Sequence, residues 1–207
     1  MNPAPPLHTI ADIQSLFEAH ADLHALLSHV EGLGLPDAWI GAGFIRNPAW
    51  DVLHGRTIDV SCLTDVDVIF FDPVDTRGER DGAVEHRLRE RDPGQNWSVK
   101  NQARMHLRNG DAPYRDAFDA VAHWPETATA VAARSIGGRI EVIAPYGTRD
   151  LLDLIVRPTR AFGHKMNVYR ERILAKDWPV RWPKLTMLTT WDEAWPGPHN
   201  SLDRIET

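Results

Sequence analysis

The chain has 207 residues, enough for one domain with a sizeable core. Its 23 Lys and Arg against 29 Asp and Glu give a formal charge of −6, which argues against a protein that coats nucleic acid by neutralising many phosphates. Cys62 is the single cysteine, so an intrachain disulfide and a cysteine-rich zinc site are excluded and a reducing compartment is expected. The segment Met1 to Pro6 lacks the basic and apolar regions of a signal peptide, and no apolar run reaches membrane-spanning length. The expectation is a cytoplasmic protein without a membrane partner.

Taken in order, Thr9 caps a helix over 9–31 whose apolar positions, from Ile10 to Val30, recur at helical spacing. His20 and His24 stand four apart in it, but no Glu lies between them and no third ligand follows, so helix surface or core edge is the better reading than a metal site. Trp39-Ile40-Gly41-Ala42-Gly43 reads as a short strand entering a glycine turn. A helix from Phe44 to His54 follows, with Pro48 in its first turn or bending it. Residues 57–64 form a connecting loop, Asp65 to Phe71 a strand, and Glu79 to Arg91 an exposed helix. Trp97 to Lys100 is a strand that leads into a polar cluster, and Tyr114 to Val121 is helical. Gly137-Gly138 turns a hairpin between 129–136 and Ile140 to Ala144, the best hairpin signal present. Arg149 to Ile155 and Lys165 to Lys176 read as helices, the second of them within a helical or irregular C-terminal segment 157–207. Interleaved strands and helices with a hairpin predict one α/β or α+β domain, 1–207, built on a mixed sheet flanked by helices.

Two acids inside an apolar strand are the strongest chemical signal. Asp65 and Asp67 lie two apart, so their side chains share a face, with Cα atoms roughly 6.5 to 7 Å apart. Such a pair suits Mg²⁺ or Mn²⁺ rather than Zn²⁺, because hard cations prefer carboxylate and water. A half-solvated strand end is the alternative, set against the rarity of Asp in strands and the cost of a buried unpaired carboxylate. Glu141 is a second anomaly, standing between Ile140 and Val142; it either meets the same cation or pairs with Arg139 or another arginine. Three carboxylates on adjacent strands fit metal-assisted phosphoryl or nucleotidyl transfer. Gly41-Ala42-Gly43, at a strand-to-helix turn, lets backbone N–H groups approach phosphate, with Arg46 beside it to bind phosphate or to pair with Asp51. Lys100, Asn101, Gln102, Arg104 and His106 form a polar cluster able to line a cleft or to satisfy loop backbone. The basic run from Arg157 to Lys184 either meets an anionic ligand or is a solvated helix face.

A glycine turn between strand and helix, then Asp-x-Asp on a strand and a lone acid on a later strand, resembles the DNA-polymerase-β-type nucleotidyltransferase superfamily. The ordered segments Ala42 to Asn47, Trp50-Asp51, Thr64 to Val68, Lys100 to His106, Trp124 to Thr127 and Ile143 to Gly147 look like a bacterial family of small nucleotidyltransferase-like proteins within it. The resemblance spans most of the chain from Leu35 to about Lys184. It implies a mixed sheet flanked by helices and Mg²⁺ at Asp65 and Asp67, with Glu141 as third acid. Nucleotide would sit near Gly41, Ala42, Gly43 and Arg46, with Lys100, Asn101 and Arg104 lining the cleft. Ala42 departs from the glycine or serine usual in the turn, and the interval to Asp65 is longer than in many relatives. The expected activity is transfer of a nucleoside monophosphate from a nucleoside triphosphate to an unknown acceptor, releasing pyrophosphate. A nucleotide-binding regulatory or antitoxin-like module without turnover is the alternative, and a structural nucleic-acid-binding protein comes third.

Overall fold

The computed structural model describes residues 7–195 and 197–198. Its centre is a five-stranded mixed sheet in the order β3-β2-β1-β4-β5, formed by β1 (Trp39–Gly41), β2 (Val66–Phe70), β3 (Trp97–Asn101), β4 (Ala132–Ile136) and β5 (Arg139–Ile143). β2 and β3 run parallel, and the other pairings are antiparallel. The helix between the parallel strands, α4 (Gly78–Arg91), is the crossover that such a pair requires. It is less exposed than its charge suggests, because Asp81, Val84 and Leu88 are buried against the sheet. The hairpin forms as expected, with both Gly137 (φ 58°) and Gly138 (φ 79°) in the positive-φ region that a tight two-residue turn needs.

The N-terminal helix is broken. α1 (Ile10–Ala19), with a complete capping box from Thr9 and Asp12, ends at His20, whose φ of −97° and ψ of 104° are extended, and α2 (Ala21–Glu31) begins afresh. The apolar pattern explains the break. Phe17 and Leu23 are six residues apart, which on one continuous helix would turn the second apolar stripe by roughly 120° from the first. Breaking at His20 lets α1 lie over β5 while α2 lies over β4 and β1. α3 (Gly43–Leu53) matches its expected span, with Pro48 inside it.

Further along, the elements are shorter than periodicity indicates. They are α5 (Met105–Asn109), α6 (Ala117–Ala122), α7 (Arg149–Leu152), α8 (Met166–Leu174) and α9 (Trp178–Arg181). β6 (Ile155–Val156) and β7 (Thr186–Met187) pair in parallel as a small second sheet.

The two faces of the main sheet are covered unequally. Ile40, Val66, Val68, Phe70, Ala133, Ile140 and Val142 belong to the large core under the helices. The opposite face, carrying Trp39, Ile69, Ala132 and Ile143, packs a smaller cluster against α6. Alternation along β2 puts Asp67 on that second face, and α6 leaves the Asp67 end of it open.

Candidate active site

Asp67 sits in β2 opposite Gly41 of β1 and Ser98 of β3, and Asp65 stands just before the strand. Burial, and next the Asp65 charge, push the Asp67 carboxyl above its ordinary range, while the Ser98 hydroxyl, Arg46 and Arg172 act against the rise. Asp65 Oδ1 accepts from Thr64 Oγ1 at 2.9 Å. A cavity of about 360 Å³ opens over this face, lined by Ala42, Asp67, Ser98, Lys100, Arg108, Trp124, Thr129 and Arg172 among others. Lys100, Arg108 and Arg172 thus share one cavity with that carboxylate in a chain of net charge −6. Register explains Lys100: it pairs with Ile69, one step along from Asp67, and so shares its face.

Arg172 is a site residue that the sequence reading missed. It reaches the cavity from α8, and its Nε donates to Glu126 Oε1 at 2.6 Å. Glu126 is fully buried, its other oxygen lacks a hydrogen-bond partner among the described residues, and so the Arg172 guanidinium is its main compensation. A signal existed in the Trp124-Pro125-Glu126-Thr127 motif, but its partner lies 46 residues away on another helix.

Arg46 does not pair with Asp51, and it lies behind the cavity lining rather than in it. It is 7% exposed and donates to Thr129 Oγ1 and Asn47 Oδ1, with its guanidinium 4.3 Å from the Trp178 ring. Burial lowers its pKa to about 10, and repulsion from Arg172 adds to this, while Glu126, Asp65 and Asp67 oppose it. It remains a cation at neutral pH, beneath the turn, where a side chain at Gly43 would stand 3.5 Å from its Nη2. Asp51 pairs instead with Arg181 and Trp182 Nε1, at 3.0 and 2.8 Å.

In the turn itself, Gly41 is required by packing. A Cβ there would approach Trp124 to 2.4 Å and the Val131 carbonyl to 3.3 Å. Ala42 has φ 54° and ψ −119°, a conformation suited to glycine, and its N–H donates to Val131 O at 3.1 Å. That N–H is therefore committed to the sheet. The first N–H groups of α3, at Gly43 and Phe44, have no acceptor within the helix and point its positive end outward.

Three expected site residues lie elsewhere. Glu141 is on edge strand β5, three strands from Asp67 and about 14 Å across the sheet, so the two cannot share a cation. It pairs with its cross-strand neighbour Arg134 at 2.6 Å. Asn101 is fully buried: its Nδ2 donates to the carbonyls of Asp72 and Asp75, and its Oδ1 accepts from the N–H groups of Asp72 and Ala103. Arg104 is tied to Asp81 at 2.5 Å. Both tie the end of β3 to its surroundings and neither lines the cavity. Among the described residues no three acidic, His or Cys side chains converge on a metal position. Two carboxylates nevertheless suit Mg²⁺, which keeps several waters and takes further oxygens from substrate phosphates. No helix of the described residues is long and apolar enough to cross a membrane.

Comparison with known proteins agrees with this fold. A solved structure described as revealing a CCA-adding enzyme head domain is 34% identical, covering 91% of this chain and 99% of that one, with a TM-score of 0.80. The Thermotoga maritima CCA-adding enzyme complexed with tRNA shares the fold at 12% identity and a TM-score of 0.52. A tRNA-processing enzyme in an apo form does so at 16% and 0.51. The chain covers only 42% and 46% of those two longer proteins. No curated protein sequence matches the chain. A family described as nucleotidyltransferase matches residues 28–187, a span that runs from α2 to β7 and takes in the acids, the turn and the cationic wall; the chain belongs to that family.

Proposed function

We propose that the protein transfers a nucleoside monophosphate from a nucleoside triphosphate to a hydroxyl or phosphate acceptor, releasing pyrophosphate, with Mg²⁺ or Mn²⁺ held by Asp65 and Asp67. The carrying observation is the cavity in which Asp67 faces Lys100, Arg108 and Arg172. When bound, the cation neutralises charge that builds on the phosphates. The three cations are placed to hold the triphosphate, with Arg172 fixed by Glu126 and Lys100 by the rigid strand. The N-terminus of α3 adds its dipole. The acceptor oxygen forms a bond to the α-phosphorus as the bond to the β-phosphate oxygen breaks, and the acceptor proton passes to solvent. Glu141 has no part in this.

The test is thermal shift with Mg²⁺ and each nucleoside triphosphate. Stabilisation of the wild type and of Glu141→Gln, but not of Asp65→Ala/Asp67→Ala, is the expected result. Equal stabilisation of the double variant would overturn the metal assignment. Pyrophosphate release across a panel of acceptors then separates the enzyme from a binding module without turnover, a reading to which the strained Ala42 lends weight.

A further inference from the structure

A second cavity, larger than the one over Asp67, lies elsewhere in the fold. It measures about 610 Å³ and lies on the other side of the segment 125–129: Thr127 lines it, whereas Pro125 and Thr129 line the acid cavity. The dividing wall is well tied, by Thr127 N to Arg157 O at 3.1 Å and Thr159 N to Pro125 O at 3.0 Å. One side of this second cavity is aromatic, with Trp191 and Trp195 edge to face at a centroid distance of 5.6 Å. Elsewhere its charged lining is three arginines, Arg149, Arg157 and Arg160, against two aspartates, Asp150 and Asp153. Arg157 lies 4.8 Å over the Trp195 ring and pairs with Asp150 at 2.8 Å, and Arg149 pairs with Asp153 at 3.3 Å. Arg160 is exposed and has no carboxylate partner among the described residues, which leaves one uncompensated positive charge in the cavity.

An apolar ligand would leave that guanidinium without a counter-charge, and a bare anion would leave the indole wall unused. A planar π-system joined to a compact anion uses both, and the volume falls within the range of small-molecule sites. We propose that this cavity binds a nucleoside monophosphate unit, the base against the Trp191–Trp195 wall and the phosphate at Arg160. The unit is either a free nucleotide or the terminal nucleotide of a single strand. Nothing in this depends on nucleotidyl transfer at the other cavity.

The experiment uses the full chain carrying Asp65→Asn/Asp67→Asn, in EDTA, so that metal-dependent binding over Asp67 is removed. Calorimetric titrations use AMP, adenosine, inorganic phosphate, phosphotyrosine and a short oligoadenylate. AMP should bind once per chain and more tightly than adenosine or phosphate. Trp195→Ala and Arg160→Glu should each weaken it about tenfold or more, while Lys100→Ala should not. Arg160 is at the surface, so its replacement leaves the fold intact, as a melting curve will verify. Oligoadenylate binding without AMP binding assigns the strand end as the source, and the reverse assigns the free nucleotide. Saturable binding of neither, indifference to both cavity substitutions, loss with Lys100→Ala instead, or equal binding of phosphotyrosine would overturn the proposal.

Discussion

Asp67 is held in tension between burial and use. Because burial and Asp65 raise its folded-state pKa, the native protein holds the Asp67 proton more tightly than the unfolded chain does. The associated stability is present below the unfolded carboxylate pKa and is lost as pH rises through the folded value. Asp67→Asn should therefore melt higher than wild type at neutral pH in EDTA, and the advantage should vanish in acid; a lower melting temperature at neutral pH would contradict this. Mg²⁺ should reverse the order, because only the wild type gains from it. Arg172 makes the complementary case. Arg172→Ala removes the phosphate contact proposed for it, expected to weaken triphosphate binding about tenfold to a hundredfold, and leaves Glu126 buried without its partner, at a cost of about 3 kcal/mol, the low end for a buried pair because Arg172 is itself partly exposed. Adding Glu126→Gln should recover stability but not affinity, a split that melting and titration of the same two variants would reveal. The place of Asp67 on the cavity face was legible because charge inside an apolar strand needs a reason. Glu141 posed the same puzzle, but its answer was cross-strand pairing with Arg134, which requires strand order. Asn101 and Arg104 misled because composition does not separate a polar side chain facing a cleft from one satisfying backbone.

At the scale of elements, the turn from β1 into α3 is where local sequence and local geometry conflict. Ala42 adopts positive φ with ψ −119°, and its Cβ makes that conformation costly. Ala42→Gly should raise stability by about 1 kcal/mol, or roughly 2–4 °C in melting temperature for a chain of this size. Nucleotide-dependent stabilisation should be retained, since the alanine N–H is occupied by Val131 O and the backbone path is unchanged. A fall in melting temperature would show that the alanine methyl has a packing role outweighing its strain. The hairpin was readable because two consecutive glycines suit its turn. Two errors share a cause: the helix break at His20 and the short helices after residue 105 arise where one chain segment must serve two packing surfaces. Windowed periodicity averages over both.

For the molecule as a whole, the C-terminal segment is structural support for the site. Asp51 in α3 is clamped by Arg181 and Trp182, Tyr169 Oη donates to Leu188 O at 2.8 Å, and Trp178 closes over both Arg46 and Trp50. The basic run 157–184 is thus largely engaged in attaching this segment, through Arg157–Asp150, Lys165–Asp111, Arg172–Glu126 and Arg181–Asp51. Neither an anion-binding stretch nor a solvated helix face describes it alone; only the three-dimensional pairing reveals the division. Trp178 belongs to the same core as Trp50 and the strands, so the sheet and the C-terminal cover should unfold in one transition. Trp178→Ala should cost about 3–5 kcal/mol and lower the melting temperature by on the order of 10 °C. It should also admit water to the Arg46 guanidinium, moving its pKa back toward that of a free arginine, because burial is the main cause of its depression. With water screening the Arg46 charge, its attraction for an anionic triphosphate falls, and triphosphate binding should weaken even at temperatures where the variant is fully folded. Two separate transitions in the wild type, or a Trp178→Ala protein that binds nucleotide as tightly as wild type, would show that the C-terminal cover and the site are independent.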